Sequence, residues 1–175
     1  MEEITIRRLK PEDIPALSVI SKETFYDTFT GTCTPADMEI FLEKYYNEPT
    51  LLRELKEEVL EYFFAETECK PIGYLSFRDE NPDFNEIKGI TALELKRFYV
   101  NKEFHGRGVA KQMMDFFIDH AVAKAYDAVF LGVWEFNFRA QKFYSKYGFK
   151  LTNYRHDFPI GNTPQTDVYM IKFLN

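Results

Sequence analysis

Cysteine is scarce. Cys33 and Cys69 are the only two, they form no C-x-x-C pair, and the three histidines do not cluster. A disulfide framework and a zinc site are therefore not expected, no metal is implied, and the cytoplasm is the default compartment. No apolar run approaches the ~20 residues that a membrane helix requires. The opening MEEITIRRLK carries no apolar signal segment. Repeats, low-complexity tracts and linkers are missing too, so residues 1–175 read as one domain long enough for a sizeable core. Positive charge is in deficit: 22 basic against 28 acidic side chains leave a net charge of −6. Such a chain repels nucleic-acid backbones and mildly attracts cations, which favours a small cationic partner over nucleic acid. Glycine is also sparse, with eight in all, yet two of them fall within His105–Lys111. The mononucleotide pattern G-x-x-x-x-G-K-S/T is absent, and G-x-G-x-x-G fails at its third glycine, where Lys111 stands.

What is present is organised around Leu93–Lys111, LELKRFYVNKEFHGRGVAK. Leu93 and Leu95 alternate with Glu94 and Lys96, the period of a half-buried strand. The apolar parity then changes, because Phe98 and Val100 occupy even positions. One extra residue near Lys96–Phe98 restores the facing, so a β-bulge is expected there. After a short turn, His105-Gly106-Arg107-Gly108-Val109-Ala110-Lys111 leads into a helix. Glycines at a helix start let backbone N–H groups approach a ligand, and the helix dipole favours anions. That is a device for holding phosphate.

The rest of the chain supplies a mixed α/β pattern. Ile4–Leu9 reads as a strand, followed by a helix opened by Pro11 and running through Ile14, Leu17, Ile20 and Phe25. Thr34-Pro35-Ala36-Asp37 opens a second helix, striped by Met38, Phe41, Leu42 and Tyr45. Pro49-Thr50 resets the chain before a helical piece over Leu51–Leu60. Tyr62–Ala65 and Ile72–Phe77 form a hairpin, and polar Arg78–Gly89, with Pro82, a loop. A helix follows Gly108, with Val109, Met113, Phe116 and Phe117 inward. Ala128–Trp134, AVFLGVW, reads as a strand covered on both faces and parallel to the central one. Asn137–Tyr147 is the last helix, and Phe149–Tyr154 with Thr166–Phe173 close the sheet. The 18 phenylalanines and 11 tyrosines predict a ring-rich core or groove.

His105, Gly108 and Ala110 fit the pattern Gln or Arg, two residues, Gly, one residue, Gly or Ala, with His105 in place of the usual Gln or Arg. Together with Asn137 and the run Phe143–Phe149, this resembles the GNAT superfamily of acyl-CoA-dependent N-acetyltransferases. The resemblance covers about Glu94 to Phe149. It implies one GNAT-like domain with a mixed sheet of about six to seven strands, a splayed parallel pair and helices on both faces. Acetyl-CoA, as cosubstrate, would lie between the splayed strands. Its pantetheine arm would bond the backbone of Phe98, Tyr99 and Val100, and its pyrophosphate the amides of Gly106, Arg107, Gly108, Val109, Ala110 and Lys111. Asn137 would cap its helix and touch CoA, and Lys146 would reach a phosphate. Tyr144 stands where many members carry the tyrosine that protonates the departing thiolate; a phenol at pKa ~10 can serve a thiolate near ~8.5. Glu94, on the central strand before the bulge, is the best-placed general base, a plain exposed glutamate being the alternative.

On the amine side, Glu23-Thr-Phe-x-Asp-Thr-Phe29 and Gly132-Val-Trp-Glu-x-Asn137 resemble the PaiA-like polyamine acetyltransferase branch. That resemblance implies that Phe25, Tyr26 and Trp134 line a slot for an aliphatic chain. Glu23, Asp27 or Glu135 would pair with distal ammonium groups. Spermidine or spermine is then the expected acceptor. The alternatives are another amine (a peptide N-terminus, a lysine, an aminoglycoside) or a CoA-binding regulatory protein without catalysis, and a homodimer stays open.

Overall fold

The computed structural model describes residues 3–80 and 83–174. Pro82, read as part of a loop, and the first two residues of the acidic start lie outside the described residues. Strand β1 (Thr5–Arg8) leads through a 3-10 turn at Pro11–Asp13 into helix α1 (Ile14–Phe29). Pro11 thus opens the 3-10 turn, and the α-helix proper begins at Ile14. Helix α2 (Pro35–Tyr45) starts as its sequence predicts: the Thr34 side chain accepts from Asp37 N at 3.1 Å and proline takes the first turn. Helix α3 spans Glu48–Lys56, earlier than the expected Leu51–Leu60. Its cap is Asn47, which accepts from Thr50 N at 2.8 Å. Pro49 sits in the first turn, where its missing N–H costs nothing, and so starts this helix instead of breaking the chain.

Strands β2 (Glu61–Thr67) and β3 (Lys70–Asp79) form a hairpin longer than expected on both arms. It closes through Glu68 and Cys69, both at positive φ (47° and 61°), the backbone twist a two-residue hairpin turn needs. The Arg78–Gly89 loop is correspondingly shorter and contains a 3-10 turn at Asn85–Ile87. Then follow β4 (Ala92–Val100), α4 (Val109–Ala123), β5 (Ala128–Trp134), α5 (Phe138–Lys146), β6 (Lys150–Asp157) and β7 (Thr166–Phe173). They build one seven-stranded sheet in the order β1-β2-β3-β4-β5-β7-β6. Only β4 and β5 run parallel, with α4 as the crossover between them.

Alternation along the strands divides the core between two faces. Leu93, Leu95, Val129, Leu131, Val133 and Met170 pack under α4 and α5 against Met113, Phe117 and Tyr144. Tyr62, Phe64 and Tyr74 face the other way, under α1, α2 and α3, against Leu17, Phe25, Met38 and Leu51. No described helix is long and apolar enough to cross a membrane.

A polar latch ties α2 to the β6–β7 loop. Asp37 accepts from Asn162 N (2.8 Å), Thr163 Oγ1 (2.8 Å) and Thr34 Oγ1 (2.9 Å). These donors hold its carboxyl below the usual range, the Asn162 amide contributing most. Gly161 lets the loop come this close: it lies at φ +58°, and a Cβ there would stand 2.2 Å from Asp37 Oδ1 and 2.7 Å from its Cα. Gly161→Ala should therefore pry the loop from α2 and lower Tm by several degrees in a calorimetric scan. An unchanged Tm would show that the latch does not hold the loop. Because the carboxylate's pKa is depressed, the latch's contribution is present above about pH 4 and is lost on acidification below it.

Candidate active site

The expected bulge is at Lys96. In the β3–β4 ladder Ser76 pairs with Arg97 and Phe77 with Leu95, which leaves Lys96 as the extra residue. Parallel pairing of β4 with β5 covers only Ala92–Leu95 against Ala128–Leu131. Beyond it, Phe98, Tyr99 and Val100 still pair with β3, and Gly132–Trp134 with β7. The facing edges of β4 and β5 diverge, and their inward backbone groups line a V-shaped gap. Close packing supports one wall: a Cβ on Gly73 of β3 would come within 2.9 Å of Tyr99 O and 3.1 Å of Met113 Sδ.

At the mouth of the V, a 3-10 turn at Lys102–Phe104 leads into the glycine loop. Gly106 and Gly108 adopt φ +80° and +85°, which side chains rarely adopt, with nothing within 4 Å of a Cβ on either. The N–H groups of Gly106, Gly108, Val109, Ala110 and Lys111 donate no hydrogen bond to any described residue, while Gly108 O already accepts from Gln112 N at 3.1 Å. Such a cluster of unspent donors at the start of a 15-residue helix suits a phosphate.

His105 turns back on the loop. Its Nε2 lies 2.8 Å from Val100 O and its Nδ1 3.1 Å from Arg139 Nη1. The carbonyl can only accept and the guanidinium only donate, so the ring carries its proton on Nε2. His105 thus closes the loop against β4, and it holds Arg139 of α5 beside the glycine loop. Arg139 was not singled out from the sequence; its one signal was its place in the first turn behind Asn137. Asn137 caps α5, accepting from Ala140 N at 3.1 Å. Lys111 pairs with Asp115 at 2.6 Å, Arg107 lies over the Phe104 ring at 5.1 Å, and exposed Lys146 forms no ion pair among the described residues.

Tyr144, 7% exposed, packs edge-on to Phe98 (6.2 Å between centroids), Phe143 (5.6 Å) and Phe149 (5.9 Å). Burial raises its phenol pKa, and the negative charge of Asp167 raises it further, so the group stays protonated. Glu94 is 3% exposed and doubly engaged: it accepts from Arg78 Nε at 2.7 Å and Lys96 Nζ at 3.3 Å. Asp167 was missed. It lies on β7 opposite Trp134, half-buried, with no hydrogen bond from a described residue. A Cβ on Gly132 would stand 3.1 Å from its Oδ2, so that glycine makes room for the carboxylate. Burial pushes Asp167 up to about 7, against the opposing pull of Lys96. The signal was Gly132 itself, because a glycine inside an apolar strand marks a close approach.

The expected amine-side residues are dispersed. Phe25, 3% exposed, stacks on Phe29 and Phe41 (both 4.5 Å) and sits inside the α1–α2 packing. Tyr26 is 52% exposed. Asp27 reaches across to Lys102 at 2.9 Å, and Glu135 pairs with Arg155 at 2.9 Å. Glu23 is exposed, without an ion pair among the described residues. Trp134 packs on Phe29 (5.3 Å), with its buried Nε1 lacking a hydrogen-bond partner.

A parallel pair splayed at a bulge, above a run of free amides, suits an extended ligand that ends in an anionic group. Residues 22–149 match the model of the Acetyltransferase (GNAT) family, and the chain belongs to that family. It is 35% identical to an uncharacterised N-acetyltransferase of Lactobacillus delbrueckii subsp. lactis, over 99% of both chains. It is also 30% identical, over 39% of its length and 46% of the relative's, to a probable spermine N(1)-acetyltransferase of Bacillus subtilis subsp. natto. Among solved structures, the PaiA N-acetyltransferase of Thermoplasma acidophilum in complex with coenzyme A superposes with a TM-score of 0.79. The identity is 21%, and 98% of this chain and 99% of that one are covered. The protein is an acetyl-CoA-dependent N-acetyltransferase with a single GNAT fold.

Proposed function

We propose that this enzyme moves the acetyl group of acetyl-CoA directly to a primary amine of the polyamine class, with Tyr144 as general acid. The observation that carries the reading is the V itself, where β4 and β5 part after four pairs and open onto the unbonded amides of Gly106 and Gly108–Lys111. Phe98–Val100 would bond the pantetheine arm as an added strand does. The loop amides would hold the pyrophosphate, with Arg139 and exposed Lys146 supplying positive charge. A backbone N–H beside the bulge would face the thioester oxygen as charge develops there; losing such a donor typically costs ~10²–10³ in rate. As the nitrogen bonds to the carbonyl carbon and the C–S bond breaks, Tyr144 gives its proton to the sulfur. Glu94 is the carboxylate nearest the bulge in sequence, and Arg78 and Lys96 already occupy its two oxygens. It would shape the local charge around the amine.

The polyamine reading is supported by the net charge of −6 and by one similar protein, named as a probable spermine N(1)-acetyltransferase. One end of a polyamine reacts while the others stay charged, and partly desolvated partners then gain more than exposed ones. Mass spectrometry of an amine panel incubated with acetyl-CoA tests it. Spermidine and spermine should react several-fold better than propylamine, and added salt should narrow the gap by screening the distal contacts. Among Glu23→Gln, Asp27→Asn and Glu135→Gln, the first should lower polyamine selectivity most, because the other two acids already have partners. Equal reaction of propylamine and spermidine would remove the polyamine assignment.

A further inference from the structure

We propose that Asp167, and not Glu94, takes the proton from the incoming amine. The inference rests on the acetyl-transfer reading above. Its geometric basis is threefold. Asp167 lies at the divergent end of the sheet, in register with Trp134, the last residue of β5. Its carboxylate occupies the space left by Gly132, and no donor among the described residues holds it. It lies on the sheet face of Trp134 and Tyr99, and its charge is felt at Tyr99 and at Tyr144, the proposed acid.

The groups around it come from every neighbouring element. Lys96 and Tyr99 face it from β4, with Glu94 held behind Lys96. Tyr144 of α5 lies within range of its charge, and Tyr169 lies two residues along its own strand. His156 is its cross-strand partner on β6. Among the described residues, the cation that acts on it is Lys96, which is already turned to Glu94 at 3.3 Å. Glu94, by contrast, carries two direct cationic partners. A carboxylate bonded to a guanidinium and an ammonium has its lone pairs engaged, whereas those of Asp167 are open to an incoming ammonium.

The step balances. The ammonium gives one proton to Asp167 and becomes a neutral nucleophile. The N–C bond forms and the C–S bond breaks. Tyr144 protonates the sulfur, and the second proton leaving nitrogen restores the phenol. Asp167 finally releases its proton to water, so the net products are the amide, CoA thiol and one proton. The order is coherent electrostatically, because a protonated Asp167 no longer opposes charge developing on Tyr144.

The test is the pH dependence of kcat/KM for propylamine and for spermidine at saturating acetyl-CoA, in the unaltered protein, Asp167→Asn and Glu94→Gln. With Asp167 as base, the charged amine is the productive form. The unaltered profile should rise through about pH 7 and level off well below the amine's own pKa of ~10.4. Asp167→Asn should fall ~10²-fold at pH 7.5, and its rate should climb with the neutral amine, with no plateau near 7. Acetyl-CoA affinity, measured by calorimetry, should be retained in that variant and shows that it is folded. Glu94→Gln should keep the inflection. If Asp167→Asn keeps both its rate within threefold and the inflection, or if Glu94→Gln removes the inflection, the assignment is overturned while acetyl transfer stands. Equal use of the two amines would remove the polyamine class alone. No transfer to either amine by the unaltered protein would overturn the base with the reaction.

Discussion

Gly108→Glu will abolish acetyl-CoA binding and leave the domain folded. Gly108 stands at φ +85° directly before α4, and the space around its Cβ position is open. The added Cβ therefore meets no protein atom. Its cost to the fold is the left-handed backbone alone, roughly 1–2 kcal/mol for a residue with a Cβ. Its cost to the ligand is far larger, since a carboxylate would be placed against a pyrophosphate among amides arranged for anions. Gly108→Ala separates the two effects: it carries the same backbone strain without charge or length, and should keep most of the affinity. Calorimetry with acetyl-CoA on all three proteins, with circular dichroism to confirm folding, decides the matter. Unchanged affinity in folded Gly108→Glu would dismiss the phosphate loop.

Tyr144→Phe comes next in size. It keeps the ring and its contacts with Phe98, Phe143 and Phe149 and deletes only the hydroxyl. Acetyl-CoA affinity and Tm should barely move, while kcat should fall ~10²-fold or more if proton delivery to sulfur limits the rate. An acyl donor whose leaving thiol is more acidic needs less help, so the deficit should shrink with it. Near-normal turnover with acetyl-CoA would return Tyr144 to the packing stripe of α5.

Much of this was legible in the sequence because backbone devices leave strong traces. A change of parity between Leu95 and Phe98 announced the bulge, and the bulge is at Lys96. Asn137 and Thr34 announced their helices by capping chemistry. Element ends were less legible: Pro49 begins a helix where it was read as a break, and β3 runs on through Arg78 and Asp79 because Arg78 pairs with Glu94 on β4. The donor loop was readable since its two glycines lie two residues apart in the chain. The proposed acceptor side was not, since its candidate residues come from α1, β4, β5 and β7. Nothing in Asp167-Val-Tyr-Met tells which face of β7 a lone acid takes, or that Gly132 vacates the space beside it. The pairing of Asp27 with Lys102, 75 residues apart, and the turn of His105 toward Arg139 were equally invisible to local patterns.

The diverging strands have a consequence for how such a protein changes over time. On the present reading, the walls that receive the acyl donor are main-chain groups of Phe98–Val100 and Gly106–Lys111, which most substitutions leave in place provided the bulge and two glycines persist. The opposite wall consists of side chains from four separate elements, each free to be exchanged. Sequence drift therefore falls unequally on the two halves: the donor is inherited with the fold, and the acceptor is renegotiated residue by residue. A chain that superposes on the Thermoplasma acidophilum structure at 21% identity shares its fold and need not share the side chains of that second wall.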